Sequence, residues 1–252
     1  MEQNQRWDEI WSTKHRMTSG RLTSGLARDV IYRTVLSILT REVPDPKGKR
    51  ILEVGSGTGL VSLALAKRGA AVTLCDISPE AVRFSKAVFA RAGVSETTIQ
   101  GSMLDLPLEN DSFDVTWNAG VVEHFEEADQ IKGVTEMLRV TRPEGRVVIA
   151  VPSARARIYL RAKTYADRHG AWQPGYEVPM ESLAGIARQV PAEVVAEYRT
   201  GALAELHFLK YYFGKSRALR LAWAGLVEAV SLALFPLNRL PGYMLVCVLR
   251  KR

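Results

Sequence analysis

Cysteine and histidine are scarce in this chain, which has 2 cysteines and 4 histidines among 252 residues. Cys75 and Cys247 each lie in an apolar, strand-like run, where free thiols are usually buried. Two such cysteines are too few for a disulfide framework. No two histidines, cysteines or acids show the spacing of metal ligands, so the sequence predicts no metal site.

The chain also lacks repeats, low-complexity tracts and an N-terminal hydrophobic segment. Its apolar content of 47% and charged content of 24% are ordinary values for a globular protein. A chain of 252 residues favours one domain that carries insertions. The N-terminal stretch MEQNQRWDEIWSTKH is polar and has no secretory signal, so we expect a cytoplasmic protein.

One long hydrophobic run, LAWAGLVEAVSLALFPL at residues 221–237, has Glu228 as its single charge. A helix of 17 residues is about 25 Å long, shorter than the ~30 Å hydrocarbon core of a bilayer. Glu228 would also lie at the membrane centre, at a high cost in free energy. We therefore expect this run to pack on the domain and not to span a membrane.

Positive charge is concentrated in the last hundred residues. The net charge is +7, but residues 1–152 hold 19 basic and 20 acidic side chains, whereas residues 153–252 hold 15 and 7. A basic segment suits an anionic surface, either of a membrane or of a nucleic acid.

From residue 50 onward, β-rich runs alternate with helical runs. This alternation predicts a doubly wound α/β sheet with helices on both faces and a ligand site at the carboxyl ends of the strands. The strand-like runs are RILEV, AVTLCD, TTIQGSM, FDVTWNA, RVVIAVP, AEVVAEYRT and GYMLVCVLRK. The helical runs cover residues 28–43, 60–69, 79–92, 127–141 and 180–189.

A glycine-rich loop, ILEVGSGTG, joins the first of these strands to a helix. Glycine at positions 55, 57 and 59 allows a sharp turn and close approach of a ligand to the backbone. A dinucleotide fingerprint would need glycine where the chain has Leu60. Glu53 also precedes the loop, and a carboxylate there suits a cationic ligand. Asp76 ends the second strand, where a carboxylate accepts hydrogen bonds from ribose hydroxyls.

Residues 50–153 resemble the class I S-adenosylmethionine-dependent methyltransferases, in particular the group with small-molecule and lipid-like acceptors. The motifs ILEVGSGTG, CDISPEAV, LPLENDSFDVTWNAGVVEHF and MLRVTRPEGRVVIAVP carry this resemblance. It implies a Rossmann-like seven-stranded sheet of order 3-2-1-4-5-7-6 with strand 7 antiparallel. It also implies that the chain is an enzyme with S-adenosyl-L-methionine as its cofactor.

The resemblance assigns a set of cofactor-binding residues along the carboxyl edge. Asp76 is expected at the ribose, Ile77 at the adenine ring, and Asn118 near the methionine end. The chain departs from the family at Ser102, where an acid usually binds the adenine amino group; Ser102 with the Met103 amide, or Asp105, would replace it. The full set is Glu53, Gly55, Ser56, Gly57, Gly59, Asp76, Ile77, Ser102, Met103 and Asn118.

Methyl transfer to oxygen generally needs a base, and His124 in GVVEHFEE is the best-placed histidine. Glu123 is the alternative catalytic residue, and a purely structural role for His124 stays open. The family's Asn/Asp/Ser-Pro-Pro-aromatic motif for base methylation is replaced here by NAGV.

The predicted organisation is a helical N-terminal lid at residues 1–49 and a methyltransferase domain at residues 50–252. The order of strands puts insertions at residues 153–179 and 202–240 over the ligand edge as substrate caps. Trp7 and Trp11, four residues apart, either close over the cofactor or pack on the domain. One helical face is expected to pack inward; it consists of Leu219, Trp223, Leu226, Val227, Val230 and Leu234.

These features predict methyl transfer to an oxygen or nitrogen of a hydrophobic small-molecule or lipid-linked acceptor. The basic, aromatic cap either packs only on the domain or also contacts a lipid-like substrate or an anionic membrane peripherally. An RNA-directed methyltransferase or a non-catalytic partner subunit is the alternative. Nucleic acid is less favoured because basic residues alternate with large apolar ones. The oligomeric state is left open.

Overall fold

A computed structural model describes residues 7–12, 29–214 and 216–252. They form one seven-stranded sheet of order β3-β2-β1-β4-β5-β7-β6, as predicted. Strand β7 runs antiparallel to both β5 and β6, while the other pairs are parallel. The strands are β1 (Arg50–Val54), β2 (Ala71–Asp76), β3 (Thr97–Gln100), β4 (Phe113–Ala119), β5 (Thr141–Pro152), β6 (Ala192–Thr200) and β7 (Met244–Lys251).

Helices cover both faces of this sheet. Alternate strand residues point to opposite faces, so Ile51 packs in one core and Leu52 in the other. The α-helices are α1 (residues 7–12), α2 (Val30–Glu42), α3 (Leu60–Ala66), α4 (Pro79–Ala92), α5 (Glu127–Val140), α6 (Arg157–Arg168), α7 (Ala184–Ala187) and α8 (Arg217–Ala233). Short 3-10 segments cover Val122–His124, Leu203–Phe213 and Phe235–Arg239.

Helix α4 begins and ends where its sequence signals predict. The Ser78 side chain accepts a hydrogen bond from the Ala81 N–H, and Pro79 occupies the first turn. Gly93 ends the helix in the left-handed conformation at φ 64°. These local signals fix the connection between β2 and β3.

Three elements differ from the sequence expectation. Helix α6 forms where the sequence indicated only a basic stretch; its buried side consists of Tyr159, Ala162 and Ala166, so only one large apolar side chain marks it in a mostly charged segment. Helix α7 covers only Ala184–Ala187 of the ten residues expected, and β3 ends at Gln100. Cys75 on β2 and Cys247 on β7 are buried and free, as expected, and three strands lie between β2 and β7 in the sheet.

The orientation of α8 corrects half of the predicted inward face: Trp223, Val227 and Val230 are half-buried or buried as expected, and the other three residues are not. Val227 and Ser231 are buried, whereas Leu219, Leu226 and Leu234 are 55%, 53% and 46% exposed. The helix is rotated about its axis relative to this prediction because Glu228 points inward and pairs with Arg33 on α2. Among the described residues, no helix has the length and hydropathy required to span a membrane.

Candidate functional site

A cavity of about 400 Å³ lies at the carboxyl ends of β1, β2 and β4. Its wall combines the glycine loop, the end of β2, the segment after β3, the turn after β4 and helix α1. The lining residues are Trp7, Trp11, Gly55, Asp76, Ile77, Gly101, Ser102, Met103, Leu104, Ala119, Gly120, Val121, His124 and Phe125. The cavity therefore occupies the edge at which the sequence predicted a ligand.

The glycine loop is packed too closely for any side chain at two of its positions. Gly55 and Gly57 have φ of 70° and 49°. A Cβ atom would lie 2.4 Å from the Val121 side chain at Gly55 and 2.5 Å from the Trp11 ring at Gly57. Only glycine permits both the turn and this approach of the backbone to the cavity.

Asp76 is held rigidly at the end of β2. One carboxylate oxygen accepts from the Gly57 N–H at 2.8 Å, and the other accepts from the Ser78 N–H at 3.0 Å. Burial raises the pKa of Asp76, and these backbone hydrogen bonds oppose the shift. The carboxylate is thereby oriented before any ligand arrives, with lone pairs remaining for further donors.

Glu53 lies behind the loop and not on the cavity wall. Its Oε2 is buried without a hydrogen-bond partner among the described residues. Burial raises the pKa of Glu53 to about 8, and the nearby Asp76 adds to the shift. A cationic group near this carboxyl would favour its ionised form.

Four more predicted residues lie outside the lining: Ser56, Gly57, Gly59 and Asn118. The Ser56 N–H donates to the Cys75 carbonyl at 3.1 Å, and Gly59 precedes α3 in the left-handed conformation. The Asn118 amide nitrogen is 3.2 Å from the Met137 sulfur on α5. These residues therefore support the residues that line the cavity and do not line it themselves.

The wall after β3 contains Ser102 and Met103 as expected, beside Ile77. The Ser102 hydroxyl accepts from the Leu104 N–H at 3.1 Å, which orders this turn. Asp105 is exposed and does not line the cavity. The side chains at this end of the cavity are thus mainly apolar.

Helix α1 supplies two aromatic side chains to the wall. The Trp7 ring meets the His124 ring edge-on, with centroids 5.1 Å apart. Trp11 contacts Phe84 on α4, with centroids 6.2 Å apart. The described part of the N-terminal segment is therefore adjacent to the cavity; residues 1–6 and 13–28 of the predicted lid lie outside the described residues.

His124 and Glu123 lie on the 3-10 turn that follows β4. His124 lines the cavity, and its Nδ1 lies 2.6 Å from the Tyr176 carbonyl. Since a carbonyl only accepts, Nδ1 carries the proton, and Nε2 is the acceptor nitrogen of the neutral ring. Glu123 is 1% exposed, and this burial raises its pKa well above the ordinary value.

Sequence reasoning missed Glu177, which lies beside this turn. The Val178 N–H donates to the Glu123 carbonyl at 2.9 Å, and the Tyr159 hydroxyl donates to the Glu177 carboxylate. Burial raises the pKa of Glu177 to about 7. Glu177 belongs to a separate segment, so no local spacing in the sequence connects it with Glu123.

Comparison with known proteins identifies the central part of the chain. Residues 52–149 match the family described as a methyltransferase domain. The chain is 36% identical to a demethylmenaquinone methyltransferase of Clavibacter sepedonicus over 144 residues, covering 57% of this chain and 55% of that protein. It is 29% identical to a ubiquinone biosynthesis O-methyltransferase of Vibrio campbellii over 122 residues, covering 48% and 51%.

The same fold occurs in solved structures. A protein of Pyrococcus horikoshii aligns with a TM-score of 0.65 and 17% sequence identity over 95% of this chain and 99% of that chain. The chain spans about half the length of the curated relatives named above. The family match at residues 52–149 thus covers most of β1 to β5 and the segments from the glycine loop to Phe125 that line the cavity, and it ends before β6 and β7.

Proposed function

We propose that this chain, which carries a class I S-adenosylmethionine-dependent methyltransferase domain, transfers the methyl group of that cofactor to a hydrophobic small-molecule or lipid-linked acceptor. The accepting atom is an oxygen or a nitrogen. The observation that carries this proposal is the composition of the cavity. The glycine loop and Asp76 form one part of its wall, and aromatic side chains together with His124 form another part.

The residues around the cavity fit S-adenosylmethionine. When bound, this cofactor supplies an electrophilic methyl group on a sulfonium. Asp76 would hold the ribose hydroxyls, since its carboxylate is oriented at the cavity wall. Ile77, Ser102 and Met103 would contact the adenine, and the glycine backbone would face the methionine part.

Three predicted cofactor residues would act from behind the wall. Glu53, with one unpartnered oxygen among the described residues, would stabilise the ammonium end of the cofactor by its charge. Ser56 and Asn118 would position the loop and the end of β4. We therefore retain them as positioning residues and not as direct contacts.

A hydrophobic acceptor is supported by the composition of the opposite wall. Trp7, Val121 and Phe125 line the cavity near His124. The relatives named above methylate demethylmenaquinone or act in ubiquinone biosynthesis, as their names state. Aromatic and apolar side chains with few polar groups are typical of sites for such ligands.

We assign His124 to the acceptor side of the reaction. It lies on the cavity wall, and the Tyr176 carbonyl holds its ring in one orientation. In the neutral ring Nε2 would accept the proton of an acceptor hydroxyl. Glu123 lies behind the wall and would act by positioning this turn.

We further propose that α8 rests on an anionic membrane surface. Leu221, Leu232 and Leu237 are 62%, 61% and 47% exposed. Arg217 and Arg220 are exposed on the same helix, and the one acid between residues 216 and 240, Glu228, points inward. Exposed leucines beside arginines suit the boundary between acyl chains and anionic head groups.

The alternative of RNA binding receives less support. Arg155 pairs with Glu181 at 2.5 Å, and Arg250 pairs with Glu193 at 2.6 Å, so part of the C-terminal positive charge is neutralised. RNA affinity that falls steeply between 50 and 200 mM salt would favour this alternative.

Calorimetric titration with S-adenosylhomocysteine tests the proposed function. We expect saturable binding of one equivalent by the full chain. An activity screen with labelled cofactor and phenols, quinols, amines and lipid-linked sugars would then identify the acceptor class. A chain that binds no S-adenosylhomocysteine would contradict the proposal.

A further inference from the structure

Three side chains with metal-ligating atoms meet beside the cavity: Glu123, His124 and Glu177. One donor atom from each lies within 4.8 Å of the other two. Two hydrogen bonds hold the two segments together. The His124 side chain donates from Nδ1 to the Tyr176 carbonyl, and the Val178 N–H donates to the Glu123 carbonyl. The cluster is therefore a product of tertiary structure and not of local spacing.

Within the part of the chain that the structure describes, the two carboxyl groups of this cluster have no lysine or arginine as an ion-pair partner. Glu123 Oε2 is buried without a hydrogen-bond partner among the described residues. A fully buried carboxylate beside a half-buried one is costly unless a cation joins them.

We propose that Glu123, His124 and Glu177 bind one divalent transition-metal ion. Two carboxylates and an imidazole form a donor set that suits Mn²⁺, Fe²⁺ or Zn²⁺. Donors at about 2.0–2.2 Å from one ion lie within about 4.4 Å of each other. The donor atoms now lie within 4.8 Å of one another, so each needs to move by less than about 1 Å to reach a common ion.

Neighbouring groups already orient the proposed ligands. The Tyr159 hydroxyl donates to Glu177, and the Tyr176 carbonyl holds the His124 ring. Hydrogen bonds of this kind from groups around a metal site fix the direction of its ligands. Glu123 Oε2 is itself enclosed by protein. A bare ion therefore fits beside it better than an ammonium group on a carbon chain.

The site deepens the proposed function, on which its catalytic role rests. His124 lines the cavity, so an ion at His124 would lie near an acceptor held there. A divalent ion binds an acceptor hydroxyl and lowers the pKa of that hydroxyl, which favours methylation at oxygen. His124 would then act as a ligand and the ion as the group that activates the acceptor.

Metal binding to the full chain tests the inference without requiring activity. The protein is treated with a chelator and titrated with MnCl₂ and with ZnCl₂ by calorimetry at neutral pH. We expect one equivalent to bind, and Glu123→Gln and Glu177→Gln each to weaken binding by about tenfold or more. Glu181→Gln, an exposed acid paired with Arg155, serves as the control and should bind like the unaltered chain.

Circular dichroism establishes whether each variant is folded, and Glu177→Gln decides the outcome if Glu123→Gln does not fold. Absence of saturable binding up to about 1 mM metal overturns the inference. Binding that survives Glu177→Gln overturns it too, since the ion then lies elsewhere. Stabilisation by alkylammonium salts in place of metals would assign the cluster to an amine and likewise overturn it.

Titration with S-adenosylhomocysteine separates this inference from the proposed function. Metal binding with no affinity for S-adenosylhomocysteine would leave the metal site standing and contradict the methyltransferase proposal. The opposite result, affinity for S-adenosylhomocysteine with no metal binding, would retain the enzyme and remove the ion.

Discussion

Two buried acids at the same end of the sheet have opposite hydrogen-bonding environments. Asp76 receives one backbone N–H on each oxygen, whereas Glu53 keeps one oxygen without a partner among the described residues. A carboxylate with satisfied oxygens is ready to orient a neutral hydroxyl, whereas one that lacks donors gains more from a cation. This difference fits the proposed binding of S-adenosylmethionine, with Asp76 at the neutral ribose hydroxyls and Glu53 near the cationic ammonium group.

Replacing Asp76 tests the ribose end. Asp76→Ala removes the proposed hydrogen bonds to the ribose hydroxyls, each worth about 1.5–3 kcal/mol when one partner is charged. We expect the affinity for S-adenosylhomocysteine, measured by calorimetry, to fall by about 100-fold or more. Asp129→Ala, an exposed acid at the start of α5, is the control and should leave the affinity unchanged.

Because Asp76 also accepts from Gly57 and Ser78, a thermal unfolding curve must accompany this measurement. Asp76→Asn keeps one acceptor oxygen and serves as the second variant. A folded Asp76→Ala protein with unchanged affinity would show that the ribose is held elsewhere.

Glu53 predicts a pH dependence of stability in the cofactor-free chain. Its pKa of about 8 in the folded state lies above the ordinary 4.5, so the unfolded chain ionises first as pH rises. This group therefore lowers the free energy of unfolding progressively between about pH 4.5 and pH 8. Glu53→Gln removes this contribution, so the variant should gain stability relative to the unaltered chain by on the order of 2 kcal/mol from pH 5.5 to pH 8.

Urea denaturation of both proteins at the two pH values measures this difference. The comparison between variants cancels the titration of other groups that both proteins share. An equal pH dependence in the two proteins would mean that Glu53 ionises normally in the folded state.

At the scale of elements, one ion pair sets how α8 lies on the domain. Glu228 accepts from the Val30 N–H at 3.0 Å and pairs with Arg33 Nη1 at 2.8 Å. It thus satisfies a backbone donor at the start of α2 and complements the positive end of that helix dipole. Arg33 also donates to the Ser231 hydroxyl, so two successive turns of α8 are tied to α2.

Removing Glu228 should loosen this contact between helices. Glu228→Ala leaves a half-buried arginine and a helix N–H without their acceptor, at a cost of about 2–3 kcal/mol in the free energy of unfolding. Glu193→Ala breaks an exposed ion pair with Arg250 and should cost less than about 1 kcal/mol. Denaturation curves of the two variants give the comparison, and equal losses would mean that α8 is held by its apolar contacts alone.

At the scale of the whole molecule, the inward direction of the Glu228 side chain decides which side of α8 is exposed to solvent, and that side is apolar. It leaves leucines and arginines on the outer side of the C-terminal insertion, which follows β6 at the carboxyl edge of the sheet. A lipid-linked acceptor could then reach the cavity from the membrane surface without leaving the bilayer completely. Membrane contact and choice of acceptor are thereby linked in one proposal.

Vesicle sedimentation tests the proposed membrane contact. The chain should bind vesicles that contain anionic phosphatidylglycerol more strongly than neutral phosphatidylcholine vesicles. Replacing both Leu221 and Leu232 with serine should reduce this binding by about tenfold or more, since each exposed leucine contributes about 1–2 kcal/mol on insertion. Val195→Ser, at an apolar position on β6 that is 44% exposed, should have no effect. Unchanged binding by the double variant would contradict the assigned surface.

The sequence patterns by themselves predicted the sheet and the edge that carries the cavity, and the resemblance to the family implied the order of the strands. Alternating runs and end signals such as Ser78 and Gly93 act within a few residues of each other, and the motifs of the family lie along one continuous segment. Only the tertiary structure decided the orientation of α8 and the meeting of Glu123 with Glu177. Both depend on partners from distant segments, and helical periodicity does not tell which face of a mostly apolar helix turns inward.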